Sequence, residues 1–144
     1  MKALPAEPSL IVDADVYFYD TDAGGVVHNV AYLRMIEMAR CKLAEHLGWP
    51  LAEMRDSGKV PVVARTEIDY VKPARLADKL EIHSSLGRMS RVRFELNFEI
   101  RRPADGAVIA KCRQTMVTVQ LPGLRPQAVP EEWGKAYPQL KTYG

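Results

Sequence analysis

Cysteine is scarce: the 144 residues contain only Cys41 and Cys112. They lie far apart, form no C-x-x-C pair and have no nearby pair of histidines, so neither a zinc site nor a disulfide scaffold is indicated. Both read as small buried apolar residues. A long apolar run is also missing. No window approaches the roughly 18 residues of a membrane span, and the opening MKALPAEP sets proline and glutamate where a signal peptide needs apolar side chains. A cytoplasmic protein without a membrane span is the expectation. Charge of one sign is lacking as well: twenty Lys and Arg against eighteen Asp and Glu leave +2. That balance does not suit a long phosphate backbone, which sets nucleic acid aside as a partner. With no internal repeat, Gly/Ser linker or low-complexity run, residues 1–144 read as a single domain. Its core is expected over about residues 12–120, with a C-terminal extension over 121–144.

What is present is a 47% hydrophobic composition, enough to build one core. Val12, Ala14, Val16 and Phe18 alternate with Asp13, Asp15 and Tyr17, the period of a half-buried strand over residues 12–18. Gly24 and Gly25 break that pattern. Tyr32, Ile36, Ala39, Leu43 and Leu47 then recur at spacings of three and four, predicting a helix from near Asn29 to Gly48. Val30, Leu33, Met35 and Met38 widen its apolar surface beyond an ordinary stripe, so other structure should wrap it. Leu51–Ser57 reads as a connector with one helical turn. Val60, Val62, Ala64, Ile68 and Tyr70 mark a second strand, and Leu80, Ile82 and Leu86 a third. From residue 91 to 101 every even position is apolar and every odd one polar, so one face of a fourth strand meets a core. The turn Pro103-Ala104-Asp105-Gly106 returns the chain antiparallel as a fifth strand, Ala107–Gln120. A short helix is expected at Glu131–Ala136. One long helix and segregated strands give an α+β fold: a curved antiparallel five-stranded sheet wrapped around one central helix.

Chemistry concentrates between the first strand and the helix, where Asp20, Asp22, Gly24, Gly25, His28 and Asn29 fall within ten residues. Glycine permits close approach of backbone to a ligand, and a helix start presents unpaired N–H groups at a positive dipole end. Such donors polarise a carbonyl, and a carboxylate upstream attacks it or deprotonates a water, the pairing acyl transfer requires. The plainer possibility is a capping loop whose Asp residues stabilise turns.

The run Tyr17-Phe18-Tyr19-Asp20-Thr21-Asp22-Ala23-Gly24-Gly25-Val26-Val27, followed by Tyr32, Glu37, Ala39 and Arg40, resembles the signature of hotdog-fold acyl-CoA thioesterases. The closest likeness is to the 4-hydroxybenzoyl-CoA thioesterase type that includes the Tol-Pal-associated enzymes. Pro61-Val62-Val63, the Pro73-Ala74-Arg75-Leu76 segment and Ser90 match in order and spacing, so the resemblance covers roughly residues 12–120. It implies hydrolysis of an acyl-CoA, or an acyl carrier protein thioester, with water and without metal or redox cofactor. The subunits are expected to pair sheet to sheet as a homodimer or homotetramer. By the same resemblance Asp22 is the catalytic carboxylate, as nucleophile or as general base, and the backbone N–H of Asn29 polarises the thioester carbonyl. Relatives of the Tol-Pal type often carry His seven residues after the Asp, where this chain has Asn29. His28, one residue earlier, either assists or is an ordinary residue of the helix start. Gly25 and Tyr32 are placed against the substrate, with Met35 and Met38 lining an acyl pocket or simply the core. Arg88, Ser90 and Arg91 contact the nucleotide end of CoA or form a solvated sheet edge. Glu37 and Arg40 are expected to pair with each other, and Asp20 to order the loop. Rival functions are a hotdog-fold enoyl-CoA hydratase or dehydratase and a non-catalytic acyl-CoA-binding module.

Overall fold

Alternation along the fourth strand shapes the sheet: Phe94, Leu96, Phe98 and Ile100 are buried on one face of β4 (Arg93–Arg102), while Glu95, Asn97 and Glu99 face away. The computed structural model describes residues 3–143. Around β4 stand β1 (Ser9–Asp15), β2 (Lys59–Tyr70), β3 (Lys79–Met89) and β5 (Ala107–Gln120), in the order β1-β3-β4-β5-β2. Every neighbouring pair is antiparallel. These are the five expected strands, and a two-residue β6 (Arg125–Pro126) adds a sixth beside the end of β5. The chain also forms α1 (Asn29–His46), α2 (Leu51–Ser57) and α3 (Glu131–Ala136). No helix among the described residues is long and apolar enough to cross a membrane.

The first strand needs correction, because it covers Ser9–Asp15 rather than residues 12–18. Val16 is buried as predicted, but Phe18 lies in a 3-10 turn, Phe18–Asp20, and is 82% exposed. The cause is Asp20, whose buried carboxylate accepts the Tyr17 N–H at 2.9 Å and bends the chain out of the sheet. Cys112 is buried as expected, whereas Cys41 is only half-buried.

Helix α1 lies against the apolar face of the sheet, with Ile36 and Ala39 wholly buried. Burying a side chain such as Ile36 contributes about 1.5–3 kcal/mol. The breadth of its apolar surface is only partly used, since Val30 is 61% and Leu33 37% exposed. The helix ends because Gly48 adopts φ +81°, sending its N–H to Glu45 O and the Trp49 N–H to Ala44 O at 2.8 Å. The buried cluster runs past residue 120 to include Val129, Trp133 and Tyr137. The C-terminal segment is therefore packed into the core.

The β4–β5 turn is tied to residues 73–78 through Arg102, which pairs with Asp78 and Asp105, each at 2.9 Å, and donates to Pro73 O. The guanidinium holds the Asp105 carboxyl down at about 2, against an ordinary 3.8. A carboxyl lowered on folding adds stability that is complete above its unfolded pKa and is lost as pH falls through the folded one. The urea midpoint should therefore drop between pH 4 and pH 2, and less steeply in Asp105→Asn. An equal slope in the variant would show that Arg102 does not stabilise this turn through charge.

Candidate active site

The loop between β1 and α1 is built around Asp20. Its carboxylate is 1% exposed and pairs with Arg34 on α1, while its carbonyl accepts the His28 N–H at 3.0 Å. Asp20 is thus the loop-ordering residue that the sequence suggested. Inside this frame a smaller turn carries Asp22, whose Oδ1 accepts the Gly24 N–H at 2.8 Å. No second protein partner engages its Oδ2 among the described residues, and the side chain is exposed. A Cβ on Gly24 would stand 3.2 Å from that same Oδ1, so glycine leaves the carboxylate room. Gly25 has φ +75° and open space where a Cβ would point, so its requirement is conformational.

Helix α1 opens immediately after. His28 occupies the N-cap, its Nδ1 accepting the Ala31 N–H at 3.3 Å. That bond commits one ring nitrogen to the helix. The N–H groups of Asn29 and Val30 donate to no protein acceptor among the described residues, and both residues are exposed. They form the free positive end of an eighteen-residue helix.

Beside them lies an open depression of about 310 Å³, walled by Val27, Asn29, Tyr32, Tyr70 and Val71 to Pro73. Tyr32 belongs to wall and core together: it is buried, packs 5.7 Å from the Tyr70 ring and accepts the Ala74 N–H through its hydroxyl at 3.0 Å. That bond fixes residues 73–78 against the loop, along with Val27 N–H to Ala74 O at 2.9 Å and the Val26–Arg75 bridge. The sequence alone does not reveal this second wall, although the Pro73-Ala74-Arg75-Leu76 segment that begins in it carries part of the family resemblance. Asp22 does not line the depression within the single chain. A larger groove, about 670 Å³, lies on the sheet face away from α1 and contains none of these residues.

The remaining candidates are not brought here. Met35 is buried in the core and Met38 half-buried against it. Arg40 reaches Glu37 at 3.2 Å, as expected, and also donates to the buried Gln114 at 2.8 Å. Arg88, Ser90 and Arg91 stand at the far end of β3, whereas residues 74–78 precede its near end. At about 3.4 Å per residue, that strand separates the two groups by roughly 30 Å. No group of three or more His, Cys, Asp or Glu residues able to hold a metal occurs among the described residues.

Comparison with known proteins agrees with this architecture. The chain is 30% identical over 127 residues to the acyl-CoA thioesterase YbgC of Haemophilus influenzae, covering 88% of this chain and 92% of that one. It is 27% identical over 126 residues to a 1,4-dihydroxy-2-naphthoyl-CoA hydrolase of Synechocystis, covering 86% and 91%. The fold superposes on a crystal structure of a 1,4-dihydroxy-2-naphthoyl-CoA thioesterase from Synechocystis with a TM-score of 0.81 at 24% identity, covering 92% of this chain and 97% of that one. Residues 16–137 match the Thioesterase-like superfamily, and this chain belongs to that family.

Proposed function

We propose that this protein hydrolyses acyl-CoA thioesters to a free acid and CoA, acting in the cytoplasm as a homo-oligomer. The observation that carries the reading is the pair of unpartnered N–H groups at Asn29 and Val30, a few residues from an exposed carboxylate whose position a turn fixes. The thioester carbonyl accepts from those N–H groups. Asp22 then either takes a proton from the attacking water or attacks the carbonyl carbon itself. In both routes the developing oxyanion rests on the helix start, and the C–S bond breaks to release thiolate; in the second route water then hydrolyses the acyl anhydride on Asp22 to free the acid and restore the carboxylate. Water and protein groups suffice, so the route uses no metal and no redox cofactor. His28 serves this scheme by capping the helix that presents the donors.

A second copy is part of the proposal. Among the described residues strand β2 has a neighbour only on its β5 side, and Val63, Tyr70 and Val71 beside that free edge are 44–51% exposed. Antiparallel pairing of two such edges about their middle sets Lys59 of one copy across from the partner's Tyr70. The Pro61, Thr118 and Arg93 end of one sheet then comes level with the Asn29 site of the other. That arrangement lets Arg88, Ser90 and Arg91 serve the partner's site, which a single chain does not allow.

Release of free thiol from a panel of acyl-CoAs tests the reading, with acyl carrier protein thioesters as a second arm. Asn29→Ala should keep turnover within about threefold of wild type, because the donor is main chain and the exposed side chain is spared. Loss of conjugated enoyl-CoA absorbance without thiol release would instead make the protein a hydratase.

A further inference from the structure

We propose that Asp20 and Arg34 are positioning residues for the hydrolysis: their ion pair ties the turn carrying Asp22 to the second turn of α1, and so holds that carboxylate in register with the free N–H groups at Asn29 and Val30. This rests on the thioesterase reading and adds to it a helix residue, Arg34, that does not line the depression. Residues 20–28 form a narrow ribbon. The Asp22 N–H donates to Val26 O at 2.9 Å, the His28 N–H donates to Asp20 O at 3.0 Å, and Thr21 bridges to Val27 between them. The two sides of the ribbon are anchored differently. Its returning side is held from outside, the Val27 N–H donating to Ala74 O at 2.9 Å and Val26 bridging to Arg75. On its outgoing side, which carries Asp22, the Arg34 guanidinium donating to the Asp20 carboxylate is the one hydrogen bond to α1 among the described residues. The Asp22 carboxylate is bonded only within its own turn, to the Gly24 N–H, among those residues. Its aim at the helix start therefore passes through Asp20.

The burial of Asp20 supports this assignment. A carboxylate at 1% exposure is costly unless it is paired. Closing the turn does not require that cost, because Asn or Ser at position 20 would accept the same Tyr17 N–H. The charge instead serves direction. A joint at His28 alone would let the outgoing side swing about the helix start. Arg34, five residues beyond Asn29 and so about 7.5 Å along the axis, supplies a second joint. Arginine suits it, since a planar guanidinium donates in fixed directions. The same guanidinium lies over the Tyr19 ring, 5.6 Å from its centre, which restrains it from the loop side. Misplacing reacting groups by about 1 Å can cost about 10²-fold in rate, so a loosened ribbon should be felt in kcat.

The test is the split between kcat and KM in acyl-CoA hydrolysis. Asp20→Asn still offers an oxygen to the Tyr17 N–H but carries no charge; it should lower kcat about tenfold with KM within about twofold of wild type. Arg34→Ala should do the same, and Arg34→Lys should recover part of the loss, because the charge returns without the fork. The Asp20→Asn/Arg34→Ala double variant should be no slower than either single one, the mark of two groups acting as one. It also removes both charges together, which keeps the comparison open if Arg34→Ala, with a buried charge unpaired, folds poorly. Additive losses, a change confined to KM, or an unchanged kcat beside an inactive Asp22→Ala would overturn the pair while leaving the thioesterase reading intact. Amide hydrogen exchange separates the two ideas without turnover. Faster exchange of the Asp22 and His28 N–H groups in Asp20→Asn, with the middle of α1 as protected as in wild type, supports the anchoring even in a protein that hydrolyses no thioester. Exchange equal to wild type at both amides removes it.

Discussion

Replacing Asp22 with alanine is expected to lower kcat for acyl-CoA hydrolysis by about 10²-fold or more, the usual cost of losing a general base or nucleophile. The fold should persist, because Asp22 is exposed and the one hydrogen bond its side chain makes among the described residues closes a surface turn at Gly24. That bond is itself worth only about 1 kcal/mol. Asp22→Asn sharpens the experiment. The amide oxygen can still accept the Gly24 N–H, so the turn is kept while the charge is removed. If the carboxylate does the chemistry, Asn and Ala should be similarly inactive, with Asn retaining the wild-type melting temperature. If Asp22 matters only as a turn former, Asn should restore activity that Ala loses. Near-normal thiol release by both variants would favour a protein that binds acyl-CoA without hydrolysing it. Because KM and kcat separate ground-state from transition-state interactions, a loss confined to kcat is the expected signature.

How much of this was legible beforehand depended on the range of the interactions involved. The β4–β5 hairpin could be read from the sequence because one face is buried and the turn is local; the polarity of residues 93–101 determines which way each side chain points. The same alternation misled at residues 16–18. There the buried carboxylate of Asp20 turns the chain, and its partner Arg34 lies fourteen positions away on α1. No two-residue period carries that information. The stretch from Asp20 to Asn29 is legible as a candidate site because its parts are contiguous in the chain. Its opposing wall was not, since the Tyr32–Ala74 contact joins residues forty-two positions apart. The length of β3 keeps Arg88 and Arg91 away from Asp22 within one chain, a separation that linear order alone does not display. Exposed Phe18, Val30 and Leu33 are the converse case: their apolarity was read as core, yet a single copy leaves them in water.

Trp133→Ala is expected to cost about 3–5 kcal/mol of folding stability, a large share of the roughly 5–15 kcal/mol available to a domain. Trp133 comes from α3, outside the sheet, but it is 2% exposed and meets Phe94 and Trp49 edge-on at 5.1 and 5.7 Å. Its Nε1 donates at 2.8 Å to the carbonyl of Leu47, the residue that closes α1. Helix carbonyls at that end have no partner of their own, so the indole satisfies one of them while sealing the space between α1 and β4. Truncation leaves a cavity and an unpaired buried acceptor together. Trp133→Phe divides the two effects, keeping most of the packing and losing the hydrogen bond, for an expected cost of about 1–3 kcal/mol. Urea unfolding of both variants gives the comparison, with the denaturant slope unchanged if each still unfolds in one step. If Trp133→Ala fell within 1 kcal/mol of wild type, the C-terminal segment would be an ornament on an independently stable sheet and helix. A loss near 4 kcal/mol instead makes α3 part of what holds α1 in place. In that case the N–H groups at the opposite end of the same helix depend on it for their aim, and kcat should fall in Trp133→Ala as the helix loosens, while Trp133→Phe stays close to wild type.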